Sequence, residues 1–240
     1  MTKNIQFVDL KQQYQPLKEE ILDGFSQVLE GMHLFLGENV QAFEKEFSAF
    51  CNAKYGIVVS DGTSALLVIL RALELGPGDE VITPVNTFIA TAEAIAMTGA
   101  KPVLVDVDPK TFLIDVDQVA DKITSHTKVL LPVHLYGQMA NMVEIRRLAD
   151  RYGLRIVEDA CQAHGAEFNG FPPAGLGDAA AFSFYFSKNL GAYGEGGFIA
   201  TNDDELAAKM RLMINFGFTG LDSVDHLGTN GKMSEIHAAM

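Results

Sequence analysis

The stretch YGIVVSDGTSALLVILRALELGPGDEVIT (Tyr55–Thr83) sets the pattern from which the fold is read. YGIVVS (Tyr55–Ser60) is a short β-branched run of strand type. After a small polar turn, Thr63–Leu75 is a helix with apolar residues on nearly every side. GPGD (Gly76–Asp79) is turn chemistry, and Glu80–Thr83 begins another short strand. One strand–helix–strand unit is thus complete within 29 residues.

Outward from this unit the alternation continues. Helices are predicted over Asn86–Met97, Val116–Ile123 and Met142–Tyr152, and strands over Pro102–Val107, Lys128–Leu135 and Arg155–Glu158. Such alternation builds a largely parallel sheet covered on both faces. Two later β-like runs, Ala179–Phe186 and Gly197–Thr201, leave little room for a helix between them and imply an antiparallel member. Asp204–Ile214 closes as a helix. The fold class is therefore α/β: one three-layer α/β/α domain over residues 1–240, with a mixed, mostly parallel sheet. Its N-terminal helical segment covers about residues 1–50, read as helices within Leu17–Phe50 interrupted at Gly24, Gly31 and Gly37. The final MSEIHAAM starts a helix with Ser234 as N-cap, and a chain cut short within a longer protein is expected there.

Apolar residues make up 48% of the chain, enough for a sizeable core, and the formal charge of −13 disfavours a nucleic-acid partner. Two distant cysteines, Cys51 and Cys161, form no disulfide framework. No signal peptide and no membrane-length apolar run is visible, so the expected location is the cytoplasm, without a membrane partner.

Ligands of such sheets gather at the carboxyl ends of the strands. There SDGTSA opens a helix whose first N–H groups carry partial positive charge and can hold a phosphate without a basic side chain. The same turn reads equally as a plain N-cap on Ser60 or Thr63. RIVEDACQAHG brings Glu158 and Asp159 out of a buried strand, where a carboxylate needs a partner. Asp159 also reads as a cap for the next turn. Cys161 and His164 lack the further ligands a metal centre requires, so no metal is expected. Lys188 follows the aromatic run Phe182–Phe186 and precedes the glycines of LGAYGEGG. Taken together, a phosphate cradle, a strand-end carboxylate and a lysine are the three fixed points required by pyridoxal 5'-phosphate (PLP). Aromatic surroundings are expected to desolvate Lys188 and make its amine a better nucleophile.

The motifs SDGTSALLVILRAL, ITPVNTFIATAEAI, PVLVDVDPKTFLID, LPVHLYGQ, VEDACQAHGA and FSFYFSKNLGAYGEGG, in this order, resemble the DegT family of PLP-dependent nucleotide-sugar aminotransferases. The resemblance runs from FVDLKQQY to GTNGKMSEIHAAM and implies the large domain of the type I, aspartate-aminotransferase fold, without the C-terminal small domain. It implies Lys188 as the catalytic Schiff-base lysine and Asp159 as partner of the pyridinium nitrogen. Gln162 lies beside the ring hydroxyl and Phe88 on the ring face. Gly62, Thr63, Ser64 and Ser183 surround the phosphate, with Asn230 reaching it across a homodimer interface. The implied reaction moves an amino group from L-glutamate or L-glutamine to a nucleotide-linked keto-deoxysugar, for an O-antigen, a capsule or a glycosylated natural product. A sugar dehydratase of the same family is one alternative, though its members carry histidine where this chain has Lys188. A non-catalytic sugar-sensing regulator on the same scaffold is another.

Overall fold

The computed structural model describes residues 7–220 and 222–240. Seven strands form one sheet in the order β1-β7-β6-β5-β4-β2-β3. They are β1 (Tyr55–Val59), β2 (Glu80–Pro84), β3 (Lys101–Val105), β4 (Thr127–Leu130), β5 (Arg155–Asp159), β6 (Ala179–Ser183) and β7 (Gly197–Thr201). β7 runs antiparallel to both neighbours, β1 and β6, while every other pair is parallel. The expected mixed, mostly parallel sheet is the one observed. β4 ends earlier than the predicted Lys128–Leu135 run, which turns through a single 3-10 turn at Leu135–Gly137.

Period-2 alternation assigns the two faces. In β6 and β7, Ala179, Ala181 and Ile199 pack on one face, with α3 (Gly62–Ala72) and α7 (Asp204–Met213). Ala180, Phe182, Phe198 and Ala200 pack on the other, against Phe47 of α2 (Glu38–Phe50). α3 lies between the sheet and two further helices, α4 (Ile89–Met97) and α7, which is why it is apolar all round. Next to β4 and β5, α5 (Val116–Lys122) and α6 (Met142–Tyr152) cover the remainder of that second face. Among the described residues, no helix is long and apolar enough to cross a membrane.

The N-terminal segment departs from expectation. α1 begins at Leu10, capped by Asp9, and runs unbroken to Gly31 through Pro16 and Gly24. An interior glycine costs a helix only about 1 kcal/mol, so across 22 residues Gly24 is no interruption. Gly31 does end α1, with Met32 left-handed after it, and Gly37 does precede α2. The first six residues of the predicted segment lie outside the described part.

Gly37 has no side chain to cap α2, and the cap comes from the far end of the chain. Ser234 opens the short α8 (Glu235–Ala238), as expected, and the carboxylate of Glu235 is buried against the start of α2. It accepts hydrogen bonds from the N–H groups of Gly37 (2.6 Å), Asn39 (2.9 Å) and Val40 (3.1 Å), and from Asn39 Nδ2 (3.0 Å). An anion among unpaired helix amides is stabilised by both hydrogen bonding and the helix dipole. A Cβ on residue 37 would come within 2.9 Å of the carboxylate carbon and displace it from these amides.

His164 sits among Phe47, Phe182 and Phe184, with ring centroids 6.2, 5.6 and 5.4 Å away. Both its ring nitrogens are buried without a hydrogen-bond partner among the described residues. Burial pushes its pKa from 6.5 down to about 4, and the positive charge of Lys188 acts in the same direction.

Two stability predictions follow from these contacts. Glu235→Ala is expected to lower the unfolding free energy by about 3 kcal/mol in urea denaturation, since it strips four donors of their acceptor. A loss below about 1 kcal/mol would show that the anchor is dispensable. His164 binds a proton more readily unfolded than folded, so its contribution is complete above pH 6.5 and is lost as pH falls towards 4. The loss is on the order of 3 kcal/mol. His164→Phe is expected to flatten the stability profile across that window; an unchanged slope would contradict the assignment.

Candidate active site

β1 is parallel to β6 through their shared neighbour β7, so the carboxyl ends of β1, β2, β4, β5 and β6 open on one edge of the sheet. A cavity of about 760 Å³ lies along that edge. Its wall is built from the ends of these five strands and the segments that leave them.

The first segment is the start of α3. Asp61 is the N-cap and its carboxylate accepts from Ser64 N–H at 2.8 Å. The hydroxyls of Ser60 and Ser64 both donate to Asp61 Oδ2, also at 2.8 Å. Gly62 and Thr63 line the cavity, and their N–H groups, at the first two helical positions, have no intrahelical acceptor. A Cβ on residue 62 would come within 2.8 Å of Ser183 Cβ and 2.9 Å of Cys161 Sγ. Only glycine lets the helix start close on the ends of β5 and β6. The Ser183 hydroxyl accepts from Tyr185 N–H at 3.3 Å, leaving its proton for the cavity it lines.

The second group comes from β5. Glu158 and Asp159 are adjacent, both buried, and project to opposite faces. Glu158 points away from the cavity. It pairs with His134 Nε2 at 2.7 Å and accepts the N–H groups of Ala174 (2.8 Å) and Gly177 (3.1 Å). Since His134 Nδ1 accepts from Ala140 N–H at 3.2 Å, Nε2 carries the proton donated to Glu158. Asp159 lines the cavity, its Oδ2 held by Thr91 Oγ1 at 2.7 Å and its Oδ1 by Cys161 N–H at 3.2 Å. Gln162 also lines the cavity, and its Oε1 accepts Tyr136 N–H at 3.1 Å.

The third group follows β6. Lys188 lines the cavity with Tyr185 and Ser187. Lys54, Lys101 and Lys209 are tied to carboxylates, whereas Lys188 forms no ion pair with a described residue. Cys161 registers both charges of the site: burial and then Asp159 push its thiol pKa well up, while Lys188 pulls it down. Among the described residues no group of three or more His, Cys, Asp or Glu side chains could hold a metal ion. A smaller cavity of about 420 Å³ shares Lys188, Gln162 and Ser187 with the first and adds Tyr136, Gly137 and Asn189.

The structure therefore brings Gly62, Thr63, Phe88, Asp159, Gln162, Ser183 and Lys188 around one cavity. Phe88 is 70% exposed at the N-cap of α4. Ser64 stands off the wall, with its N–H and hydroxyl committed to Asp61. Asn230 is exposed and also off the wall, although the adjacent Gly231 carbonyl accepts Ser60 N–H at 2.8 Å. The aromatic run does not enclose Lys188 as expected. Phe182 and Phe184 turn into the core on Phe47, at 5.3 and 5.0 Å. Tyr185 and Phe186 face outward, and Lys188 is half-buried. Asp61, Thr87 and Glu195 line the cavity without having been predicted. Burial and then Asp61 push the Glu195 carboxyl up. Its place within GEGG, directly after the lysine loop, was the available signal.

Over residues 15–240 the chain matches the DegT/DnrJ/EryC1/StrS aminotransferase family. It is 47% identical over 237 residues to a pleiotropic regulatory protein of Geobacillus stearothermophilus, covering 99% of this chain and 64% of that protein. It is 44% identical over 242 residues to UDP-N-acetyl-3-dehydro-alpha-D-glucosamine 3-aminotransferase of Acidithiobacillus ferrooxidans, covering 100% of this chain and 66% of the relative. The chain thus spans about two thirds of the length of these curated relatives. NtdA from Bacillus subtilis, solved with bound cofactor PMP, superposes with a TM-score of 0.93 at 38% identity, covering 100% of this chain and 55% of that one. With the three-layer fold and the strand-end cavity in place, these matches assign the chain to the DegT/DnrJ/EryC1/StrS aminotransferase family.

Proposed function

We propose that the cavity binds PLP and that the protein transfers an amino group to a keto carbon of a nucleotide-linked deoxysugar. The observation that carries this reading is that Asp159 and Lys188 line the same cavity as the open start of α3. The residues fit the cofactor. The amides of Gly62 and Thr63 and the Ser183 hydroxyl are free donors for a phosphate, in a cradle that a Cβ on residue 62 would disrupt. Asp159 supplies the anion for a pyridinium nitrogen, Gln162 stands beside it, and Phe88 offers an aromatic face. Bound there, PLP would supply an aldehyde to receive an amine and a charged ring to draw electrons from the attached carbon.

The remaining chemistry belongs to the chain. Lys188 Nζ, which has no ion-pair partner among the described residues, would hold the cofactor at rest and then move the proton at the amine-bearing carbon of donor or acceptor. Asp159, held at both oxygens, would keep the ring nitrogen charged. The polar cavity shared by Lys188, Gln162 and Ser187 is where a hydroxyl-rich acceptor would approach. L-glutamate or L-glutamine is the donor in this reading, and the two half-reactions use the same lysine in turn. The product would enter O-antigen, capsule or glycosylated natural-product synthesis; the aminotransferase name of the Acidithiobacillus relative supports the nucleotide-linked keto-sugar acceptor alone. The name of the Geobacillus relative raises a regulatory reading, and Lys188 in the cavity wall is what favours an enzyme.

The same reading makes the protein a homodimer with shared sites. Support comes from exposed Asn230, whose neighbour Gly231 is fastened to the cradle strand through Ser60, and from Leu17, Leu22, Phe25 and Leu29, apolar residues exposed on α1.

Purified protein given PLP is expected to absorb visible light, and borohydride is expected to fix the cofactor on the peptide containing Lys188. Lys188→Ala should abolish that label and lower the turnover of a keto-sugar nucleotide with glutamate, read by mass, at least about a thousandfold. A colourless protein indifferent to PLP would refute the reading. Mixing Lys188→Ala with Asn230→Ala subunits is expected to restore activity in heterodimers; verified heterodimers that stay inactive would remove the shared site.

A further inference from the structure

Thr91 is wholly buried on α4, in a helix whose other buried positions are Ala90, Ala94 and Ile95. A hydroxyl in such surroundings needs a partner. Its only proton goes to Asp159 Oδ2 at 2.7 Å, across 68 positions of sequence. The 2.7 Å contact between Thr87 Oγ1 and Thr91 Oγ1 then has one possible direction: Thr87 donates to Thr91. Thr87 lines the cavity, so a directed chain of hydroxyls runs from the cavity wall through Thr91 to the buried carboxylate. Thr87 and Thr91 also bracket Phe88, one residue before it and three after. The chain therefore ties the segment carrying Phe88 to the carboxylate.

We infer that Thr91 is a positioning residue: through the Thr87–Thr91–Asp159 chain it fixes Asp159 and Phe88 relative to each other. The inference rests on the PLP reading above. With PLP bound, Asp159 would hold its ring nitrogen charged and Phe88 would offer an aromatic face, and the elements that carry them, β5 and α4, are joined here by the Thr91–Asp159 hydrogen bond. Successive hydroxyls polarise one another, so losing one link weakens the next. With Cys161 N–H on Oδ1, the second donor on Oδ2 leaves the carboxylate little freedom to rotate.

The test uses the whole protein with PLP as the probe, comparing wild type with Thr91→Val, which keeps the shape and removes the hydroxyl, and Thr91→Ser, which keeps the hydroxyl. Equilibrium dialysis is expected to show PLP binding about tenfold weaker in Thr91→Val and within about twofold of wild type in Thr91→Ser. The visible circular dichroism per bound cofactor, which reports a fixed ring orientation, is expected to fall at least twofold in Thr91→Val only. Thr87→Val, altered at the cavity end of the chain, is expected to change both readouts in the same direction. If Thr91→Val binds PLP with unchanged affinity and dichroism, or only melts at a lower temperature without cofactor, the inference is overturned. If wild type itself does not bind PLP, the cofactor reading fails instead.

Discussion

The antiparallel seat of β7 between β1 and β6 is the constraint on which the site depends. β6 ends at the same edge at which β7 begins, so the chain from Phe184 to Gly196 must remain at that edge as a loop. β1 pairs along the other side of β7, which brings the turn into α3 next to the same loop. The lysine and the free helix amides thus meet without either being close to the other in sequence. Had the run Gly197–Thr201 been parallel to its neighbours, a crossover of a dozen or more residues would have been required and the loop could not have stayed there.

Much of this was legible from residue types alone. Alternating β-branched strands and amphipathic helices gave the layers, and the shortage of residues between Ala179–Phe186 and Gly197–Thr201 gave the reversed strand. The helix over Met142–Tyr152 and the strand over Gly197–Thr201 have the bounds that the sequence predicts. The misreadings have local causes. Gly24 suggested a break because glycine is a poor helix former, but α1 is long enough to absorb the cost. The phenylalanines before Lys188 suggested an apolar cage. Strand alternation and core packing send Phe182 and Phe184 to His164 and Phe47 instead.

Other features could not be read in advance because they depend on which atoms meet across the fold. Residue types alone do not separate Glu158 from Asp159, and only the resemblance singles out Asp159; the pleat of β5 supplies the physical reason, giving one to His134 and the other to the cavity. The N-cap of α3, expected at Ser60 or Thr63, is Asp61, which draws in both Ser60 and Ser64. The hydroxyl chain from Thr87 to Asp159 joins residues of two motifs with no shared pattern. Side-chain hydrogen bonds of this kind are fixed by tertiary placement, to which composition and periodicity are blind.

The carboxylate that closes the start of α2 is supplied from 198 residues downstream. During synthesis the leading helices leave the ribosome long before their acceptor exists. Until Glu235 emerges, the amides at Gly37, Asn39 and Val40 have only solvent or a chaperone to satisfy them. The same segment seats the glycine loop after Lys188, since Met233 packs on Gly196 and His237 on Gly194. Completion of the amino-terminal layer and setting of the lysine loop therefore both wait on the synthesis of one short segment, residues 233–237.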